Sequence, residues 1–201
     1  MEKECFTVTL TFSDKIKGFI LNPVETFKGV KEENIVFALR YYISLTIVES
    51  ILYGIVYTFM FSSFYSSFDI YKWNKILGMD KEISGMLIII LMIISNVIGL
   101  FIGGAWMHLW IRAFGGKEKY YHTIKAIAYG NTPNLLLGWL PFINLAGAIW
   151  SLVLVIIGIK EFHKMSAVKV LLAIIVSGLT LAIIISTIVF LVLAWLFFST
   201  G

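Results

Sequence analysis

The sequence predicts an all-α, polytopic membrane protein with five transmembrane helices, the N-terminus inside and the C-terminus outside. Of its 201 residues 59% are hydrophobic and 14% are charged, whereas soluble domains have roughly 45–50% apolar and 25% charged residues. The apolar residues form long continuous runs, unlike the alternating segments of about ten residues in a membrane β-barrel. These two observations exclude a soluble globular enzyme.

The apolar runs define the five spans. Each has 18 or more residues, close to or above the roughly 20 that a helix needs to cross the hydrocarbon. The third and fourth barely reach across, which leaves open whether they span fully or form a re-entrant hairpin. Residues 1–35 then form a cytoplasmic N-terminal segment and residues 36–201 a membrane domain. The predicted spans are Val36–Phe61, Gly85–Phe114, Thr123–Leu140, Phe142–Ile159 and Ala167–Phe198.

The N-terminal segment contains one predicted short amphipathic helix. Asn22 is placed to cap it, Pro23 occupies the first helical position and Glu25 the capping-box position. We expect this helix to run to about Glu33.

Lysine and arginine are distributed unequally between the two sides, which sets the orientation. The predicted inner side has 13 of these residues and the outer side 3. The net charge of +4 is therefore attributed to topology, and the partner it predicts is the lipid bilayer rather than nucleic acid. The inner residues are Lys3, Lys15, Lys17, Lys28, Lys31, Arg40, Arg112, Lys117, Lys119, Lys125, Lys160, Lys164 and Lys169, and the outer ones are Lys72, Lys75 and Lys81.

Glu49 is the one acid deep in a predicted span. In an antiparallel helix pair, Asn96 of the second span lies at a similar depth. We expect Glu49 to be buried, protonated and hydrogen-bonded to Asn96 or to the third span, either as structural hydrogen-bond glue or as a proton or cation site. Helical spacing also predicts one protein-facing stripe of Tyr42, Thr46, Glu49, Tyr53 and Tyr57.

Asn96 shares a face of the second span with Gly99 and Gly103. The Gly-x-x-x-Gly spacing allows close approach of another helix. Because this pattern is common, packing is its default meaning.

The third span is the least helix-like, because Asn131, Thr132, Pro133 and Asn134 interrupt it near mid-membrane. Proline removes a backbone donor and disfavours helix in the preceding residue, so we expect a kink or break. In one interpretation the polar side chains satisfy the freed carbonyls. In the other, the broken helix builds a transporter site.

On the predicted inner face, His108, Gly115, Gly116 and His163 are candidates for an interaction surface. The three histidines, with His122, lack metal-ligand spacing, so no metal site is predicted. Gly115 is expected to end the second helix in a left-handed conformation. No nucleophile and base set or paired carboxylates occur, and the sequence predicts neither an enzyme nor a cofactor.

Several short motifs occur in a fixed order along the chain. They are Asn22-Pro23 with Thr26-Phe27, His108-Leu109 leading to Phe114-Gly115-Gly116, Ala128-Tyr129-Gly130 followed by Pro133, and Gly158 to His163 followed by Ser166. In this order they resemble the YIP family, the Rab/Ypt-interacting membrane proteins and their prokaryotic relatives. The resemblance covers about Ile20 to the C-terminus and implies the same five-span architecture.

The resemblance points to a prokaryotic-type member in the cell membrane. Eukaryotic members carry longer cytosolic N-termini and an Asp-Leu-Tyr-Gly-Pro motif that is missing here, so GTPase binding is not carried over. We expect a non-enzymatic scaffold or adaptor that acts through its inner face on a membrane-protein partner or a second copy of itself. The alternative is a small-solute or ion transporter that uses Glu49 and the broken third span.

Overall fold

The computed structural model describes residues 10–56 and 81–199. Within them the chain forms helices joined by short connections, with no strand. An all-α fold is thus confirmed for these residues. The helices are α1 (Phe12–Leu21), α2 (Pro23–Gly29), α3 (Ile35–Val56), α4 (Lys81–Ala113), α5 (Tyr120–Gly130), α6 (Thr132–Leu137), α7 (Asn144–His163) and α8 (Ala167–Ser199).

Four of the described helices, α3, α4, α7 and α8, are long and apolar enough to cross a membrane. The third predicted span is not one helix, since α5 has 11 residues and α6 has 6. The expected break is confirmed and lies at Asn131, two residues before Pro133. The structure therefore supports a multi-pass helical membrane protein with four long helices and a broken segment in place of five continuous spans.

Helix ends differ from the predicted spans mainly where polar residues continue a helix. The helix α7 runs to His163, beyond the predicted end at Ile159, because Lys160 and Glu161 extend it until Lys164 turns left-handed with φ 53°. The helix α4 begins four residues before its predicted start, and α8 ends one residue after its predicted end. The end of the first predicted span lies outside the described residues.

The N-terminal segment contains two helices instead of the single predicted one. The unpredicted α1 begins at Phe12 and is capped by Thr11, whose side chain and backbone exchange hydrogen bonds with Asp14 in a capping box. The second, α2, ends at Gly29 rather than Glu33, and Asn22 makes no side-chain capping bond. The predicted start of this helix at Pro23, after Asn22, is therefore confirmed, whereas the predicted side-chain cap is not formed.

The short helix α5 is the centre of the described fold. All of its residues from His122 to Gly130 are buried, and it packs against α3, α4 and α7. At Gly130 the backbone of α7 comes very near, since a Cβ there would lie 2.9 Å from the Val155 nitrogen. The helices α5, α6 and α7 thus form a tight hairpin around which the other helices are arranged.

Side chains donate hydrogen bonds to backbone carbonyls of neighbouring helices, as is common between helices in lipid. Tyr42 of α3 donates to the Asn96 carbonyl of α4 at 3.3 Å, and Tyr120 of α5 to the Phe101 carbonyl at 2.6 Å. Trp106 of α4 reaches a carbonyl of α8 at 3.0 Å. These bonds attach α4 to three of its neighbours.

Three separate segments meet at one end of the bundle, which we call the basal end. Phe27 of α2 packs edge-on against Phe162 of α7, with ring centroids 5.7 Å apart. Lys31 donates to the Glu161 carbonyl at 3.5 Å. A Cβ on Gly116, in the α4–α5 connection, would lie 3.0 Å from the His163 ring. The starts of α3, α5 and α8 and the ends of α4 and α7 therefore lie at the basal end.

The helices α4 and α8 are the least packed. From Leu179 onward no described residue of α8 is buried, as expected for a helix facing lipid. A Cβ on Gly99 or Gly103 would meet no described atom within 4 Å. The Gly-x-x-x-Gly face thus makes no close contact inside the described part of the chain, contrary to its default interpretation.

Two glycine substitutions test whether the close approach at Gly130 holds the hairpin together. We expect Gly130→Ala to lower the free energy of unfolding by about 1–3 kcal/mol, because the added methyl overlaps α7 backbone. The matched Gly103→Ala should leave it unchanged or raise it by up to about 1 kcal/mol through helix propensity. Unfolding in mixed detergent micelles measures both, and equal effects would contradict the assigned packing.

Candidate functional site

The polar residues of the broken third span are held by hydrogen bonds. Pro133 has no N–H to give to the Tyr129 carbonyl one turn earlier, and the Thr132 hydroxyl donates to that carbonyl instead at 2.6 Å. The Tyr41 hydroxyl lies 3.0 Å from the Thr132 oxygen and must be the donor, since Thr132 has already used its proton. Thr132 therefore satisfies the freed carbonyl, as the first interpretation of this segment predicts.

The two asparagines of the break differ in their surroundings. The backbone N–H of Asn134 donates to the Ser151 hydroxyl at 2.8 Å and so ties α6 to α7. Asn131 is half-buried and occupies the junction between α5 and α6. The break is thus part of the packed hairpin and is joined to α7 through Asn134 and Ser151.

Beyond the break, Glu49 lines a cleft between α3 and the tip of the hairpin. Glu49 is only 6% exposed, and its Oε2 atom has no hydrogen-bond partner among the described residues. A Cβ on Gly138 would lie 3.1 Å from Glu49 Oε1, so the absence of a side chain there makes room for the carboxylate. The cleft has a volume of about 270 Å³ and is lined by Glu49, Asn134, Gly138, Asn144, Leu145 and Ala148.

Asn96 is not part of this cleft, and its expected pairing with Glu49 is wrong. Its side-chain amide donates to the Met92 carbonyl of its own helix at 3.0 Å. The alternative location, beside the third span, is the one that the structure shows for Glu49, although its Oε2 atom makes no hydrogen bond to a described residue. The Asn96 backbone instead meets Tyr42, seven residues before Glu49 on α3, so the prediction from depth along the two spans did not hold.

The predicted stripe on α3 is confirmed in part. Tyr42, Thr46 and Glu49 are buried, whereas Tyr53 is 36% exposed and Tyr57 lies outside the described residues. The stripe therefore leaves the protein interior after Glu49, one turn before Tyr53.

The inner-face candidates come together at the basal end around one threonine. The Thr123 hydroxyl lies 2.7 Å from His108 Nδ1 and 2.9 Å from His163 Nε2. A hydroxyl has one proton and two lone pairs, so it can donate to only one of the two imidazoles and must accept an N–H from at least one of them. The two rings, with centroids 5.8 Å apart, are thereby linked through one oxygen atom. Thr123 was not predicted, since nothing in its sequence context marks it as a bridge.

The two glycines close this histidine cluster. Gly115 adopts φ +104°, which confirms the predicted left-handed end of α4. A Cβ on Gly116 would lie 2.6 Å from the Ile111 side chain and 3.0 Å from His163 Nδ1. His163 Nδ1 is buried without a hydrogen-bond partner among the described residues. The backbone at Gly116 therefore covers one edge of the cluster.

His122 stands apart from this bridge. It is buried, and its Nε2 atom lies 3.4 Å from the Glu118 carboxylate. Burial lowers the pKa of His122 below its ordinary value, although Glu118 opposes this shift. Among the described residues, no group of three His, Cys, Asp or Glu side chains is placed to hold a metal ion.

A second polar cluster at the basal end was missed by the sequence prediction. Lys15 of α1 forms an ion pair with Glu33 at 2.8 Å, and the Tyr129 hydroxyl donates to the same carboxylate oxygen at 2.6 Å. Lys125 is fully buried and donates to the carbonyls of Lys31 and Glu33, both at 2.6 Å. The sequence signal for this cluster is Lys125, a lysine inside an apolar span. The charge count alone relates it only to the orientation of the chain in the membrane.

The family model for the Yip1 domain matches residues 17–196. The chain belongs to the Yip1 domain family. Searches of curated proteins and of solved structures give no match. The Yip1 domain thus includes both the Glu49 cleft and the histidine cluster, and the resemblance to the YIP family is confirmed. Together with the long apolar helices, the match identifies a multi-pass membrane protein.

An isosteric substitution tests the bridge between the two histidines of the Yip1 domain. We expect Thr123→Val to lower the free energy of unfolding by about 2–3 kcal/mol, because it leaves two imidazole nitrogens unpaired, the one on His163 buried and the one on His108 partly buried. The matched Thr180→Val removes a hydroxyl that bonds only to carbonyls of its own helix and should cost less than about 1 kcal/mol. NMR of the imidazole nitrogens should show altered tautomers for His108 and His163 in the first variant alone.

Proposed function

We propose that this Yip1 domain protein is a non-enzymatic membrane adaptor that binds a membrane-protein partner, or a second copy of itself, at its basal end. The observation that carries the proposal is the attachment of α1 and α2 to the bundle through Lys15, Glu33 and Lys125. An N-terminal segment held by buried ionic contacts makes a fixed surface with the neighbouring connections, and fixed surfaces bind partners at a lower entropic cost.

The exposed charge of the basal end indicates the chemistry of the partner. Among the described residues twelve charged side chains are exposed, and nine of them are lysine or arginine. A partner with an acidic surface would complement this basic excess. The basic residues are Lys17, Lys28, Arg40, Arg112, Lys117, Lys119, Lys160, Lys164 and Lys169, and the acidic ones are Asp14, Glu25 and Glu32.

We assign the basal end to the cytoplasmic side of the cell membrane. Thirteen of the sixteen lysine and arginine residues were counted on this side from the sequence, and such an excess favours the cytoplasm. Because α5 begins and α7 ends at the basal end, the hairpin returns the chain to the side from which it entered. The N-terminus inside and C-terminus outside therefore follow whether the hairpin crosses the bilayer fully or in part.

Site-specific photo-crosslinking in native membranes tests the adaptor. A photoreactive residue at Lys28 or at Lys117 should give the same protein adduct, because both positions are exposed at the basal end. The control position is Phe142, which is 96% exposed and lies at the opposite end of α7, about 30 Å away along a 20-residue helix. Mass spectrometry distinguishes a partner, a second copy and a lipid adduct.

The outcome of this experiment is decisive in both directions. Reproducible protein adducts from the two basal positions, absent from Phe142, support the adaptor. Lipid adducts alone at all three positions would show that the basal lysines only contact headgroups, and the adaptor proposal would then be abandoned.

A second candidate function, transport of a small ion or solute, is favoured by one observation, the Glu49 cleft. Flux into proteoliposomes containing the purified protein tests it. If the cleft is on the transport route, Glu49→Gln should abolish flux while Asn96→Leu, whose side chain bonds only its own helix, leaves flux unchanged. Absence of flux across a broad panel of ions and solutes would remove this candidate.

A further inference from the structure

We infer that the Glu49 cleft is a binding site for a small monovalent metal cation such as Na⁺, held by the Glu49 carboxylate and the side-chain oxygens of Asn134 and Asn144. This inference goes beyond the adaptor function and concerns the site on which the second candidate rests. A cation can bind at the cleft without being transported, so the binding site and the transport function can be disproved separately.

The first argument is the missing partner of Glu49. Its Oε2 atom is buried, and no described residue hydrogen-bonds to it. Glu49 lies 14 residues after the start of α3, about 21 Å of helix rise and well inside the apolar span. A group that acted only as structural glue would bond to a neighbouring helix. Among the described residues, therefore, nothing occupies the Oε2 atom, and it is available to a bound ligand.

The second argument is the composition of the cleft. Its lining residues include Glu49, Asn134 and Asn144, each of which carries a side-chain oxygen atom. Hard metal cations are bound by carboxylate and amide oxygens. Gly138 leaves room beside Glu49, where a Cβ would come within 3.1 Å of the carboxylate. The volume of about 270 Å³ is enough for a cation and several waters, each of which occupies about 30 Å³ in the liquid.

The third argument concerns charge. Glu49 is the one ionisable residue in the lining of the cleft. A monovalent cation would make the site neutral, whereas a divalent cation would leave one positive charge in the apolar span, where unpaired charge is costly. The single carboxylate therefore selects a monovalent ion.

The test is the rate at which dicyclohexylcarbodiimide modifies Glu49 in the full-length protein in nanodiscs. The reagent attacks protonated carboxyl groups in apolar surroundings, and peptide mass spectrometry locates the adduct. NaCl, LiCl, KCl, MgCl₂ and N-methylglucamine chloride are compared at equal ionic strength and pH. At a cation concentration ten times the dissociation constant, labelling should be about tenfold slower, because about a tenth of the sites remain free.

Three variants complete the experiment. Glu49→Gln should abolish the adduct, which assigns the label. Asn144→Leu should retain labelling and lose protection by Na⁺, and it is expected to fold because Asn144 is exposed. The matched Asn96→Leu, outside the cleft, should retain both.

Slower labelling in Na⁺ or Li⁺ that disappears in Asn144→Leu supports the site. Equal labelling rates in all salts, protection by Mg²⁺ alone, or protection that survives in Asn144→Leu would overturn it. Because flux is not measured, the result is independent of whether the protein transports anything.

Discussion

A lysine inside a fully buried helix is the constraint on which the described structure depends. Lys125 is completely buried, and an unpaired ammonium there would cost several kcal/mol. It is satisfied by the carbonyls of Lys31 and Glu33 at 2.6 Å each and lies over the Phe162 ring, 5.5 Å from its centroid. Both carbonyls belong to the connection between α2 and α3, so α5 can be buried only when that connection closes over it.

The same contacts organise both sites. The Glu33 residue that gives its carbonyl to Lys125 gives its carboxylate to Lys15 and Tyr129, which brings α1 onto the bundle. With α5 fixed, Thr123 lies between His108 and His163. Further along the hairpin, the break at Asn131 directs α6 toward α3 and brings Gly138 beside Glu49. The basal end and the Glu49 cleft thus lie at opposite ends of the hairpin formed by α5, α6 and α7.

The sequence was sufficient for features that one residue or one run of residues determines. Apolar runs located the four long helices, Pro133 marked the break in the third span, and Gly115 marked the left-handed end of α4. Contacts that depend on the rotation of a helix about its own axis, or on backbone groups, could not be predicted from the sequence. The Asn96 side chain bonds to its own helix and its carbonyl meets Tyr42 rather than Glu49, and the partners of Lys125 are carbonyls, which any residue type can supply. The helix α1 was missed although the capping-box pair Thr11 and Asp14 is a start signal readable from the sequence.

The unequal lengths of the helices have a consequence for the bilayer itself. The helices α4 and α8 have 33 residues each, about 50 Å of helix, while the hydrocarbon is about 30 Å thick. The helix α7 of the hairpin, by contrast, has 20 residues and is about 30 Å long. One edge of the molecule thus favours a thick membrane or a strong tilt, whereas the other matches the hydrocarbon without tilting. Membrane thickness is therefore a variable to which the orientation of this protein responds.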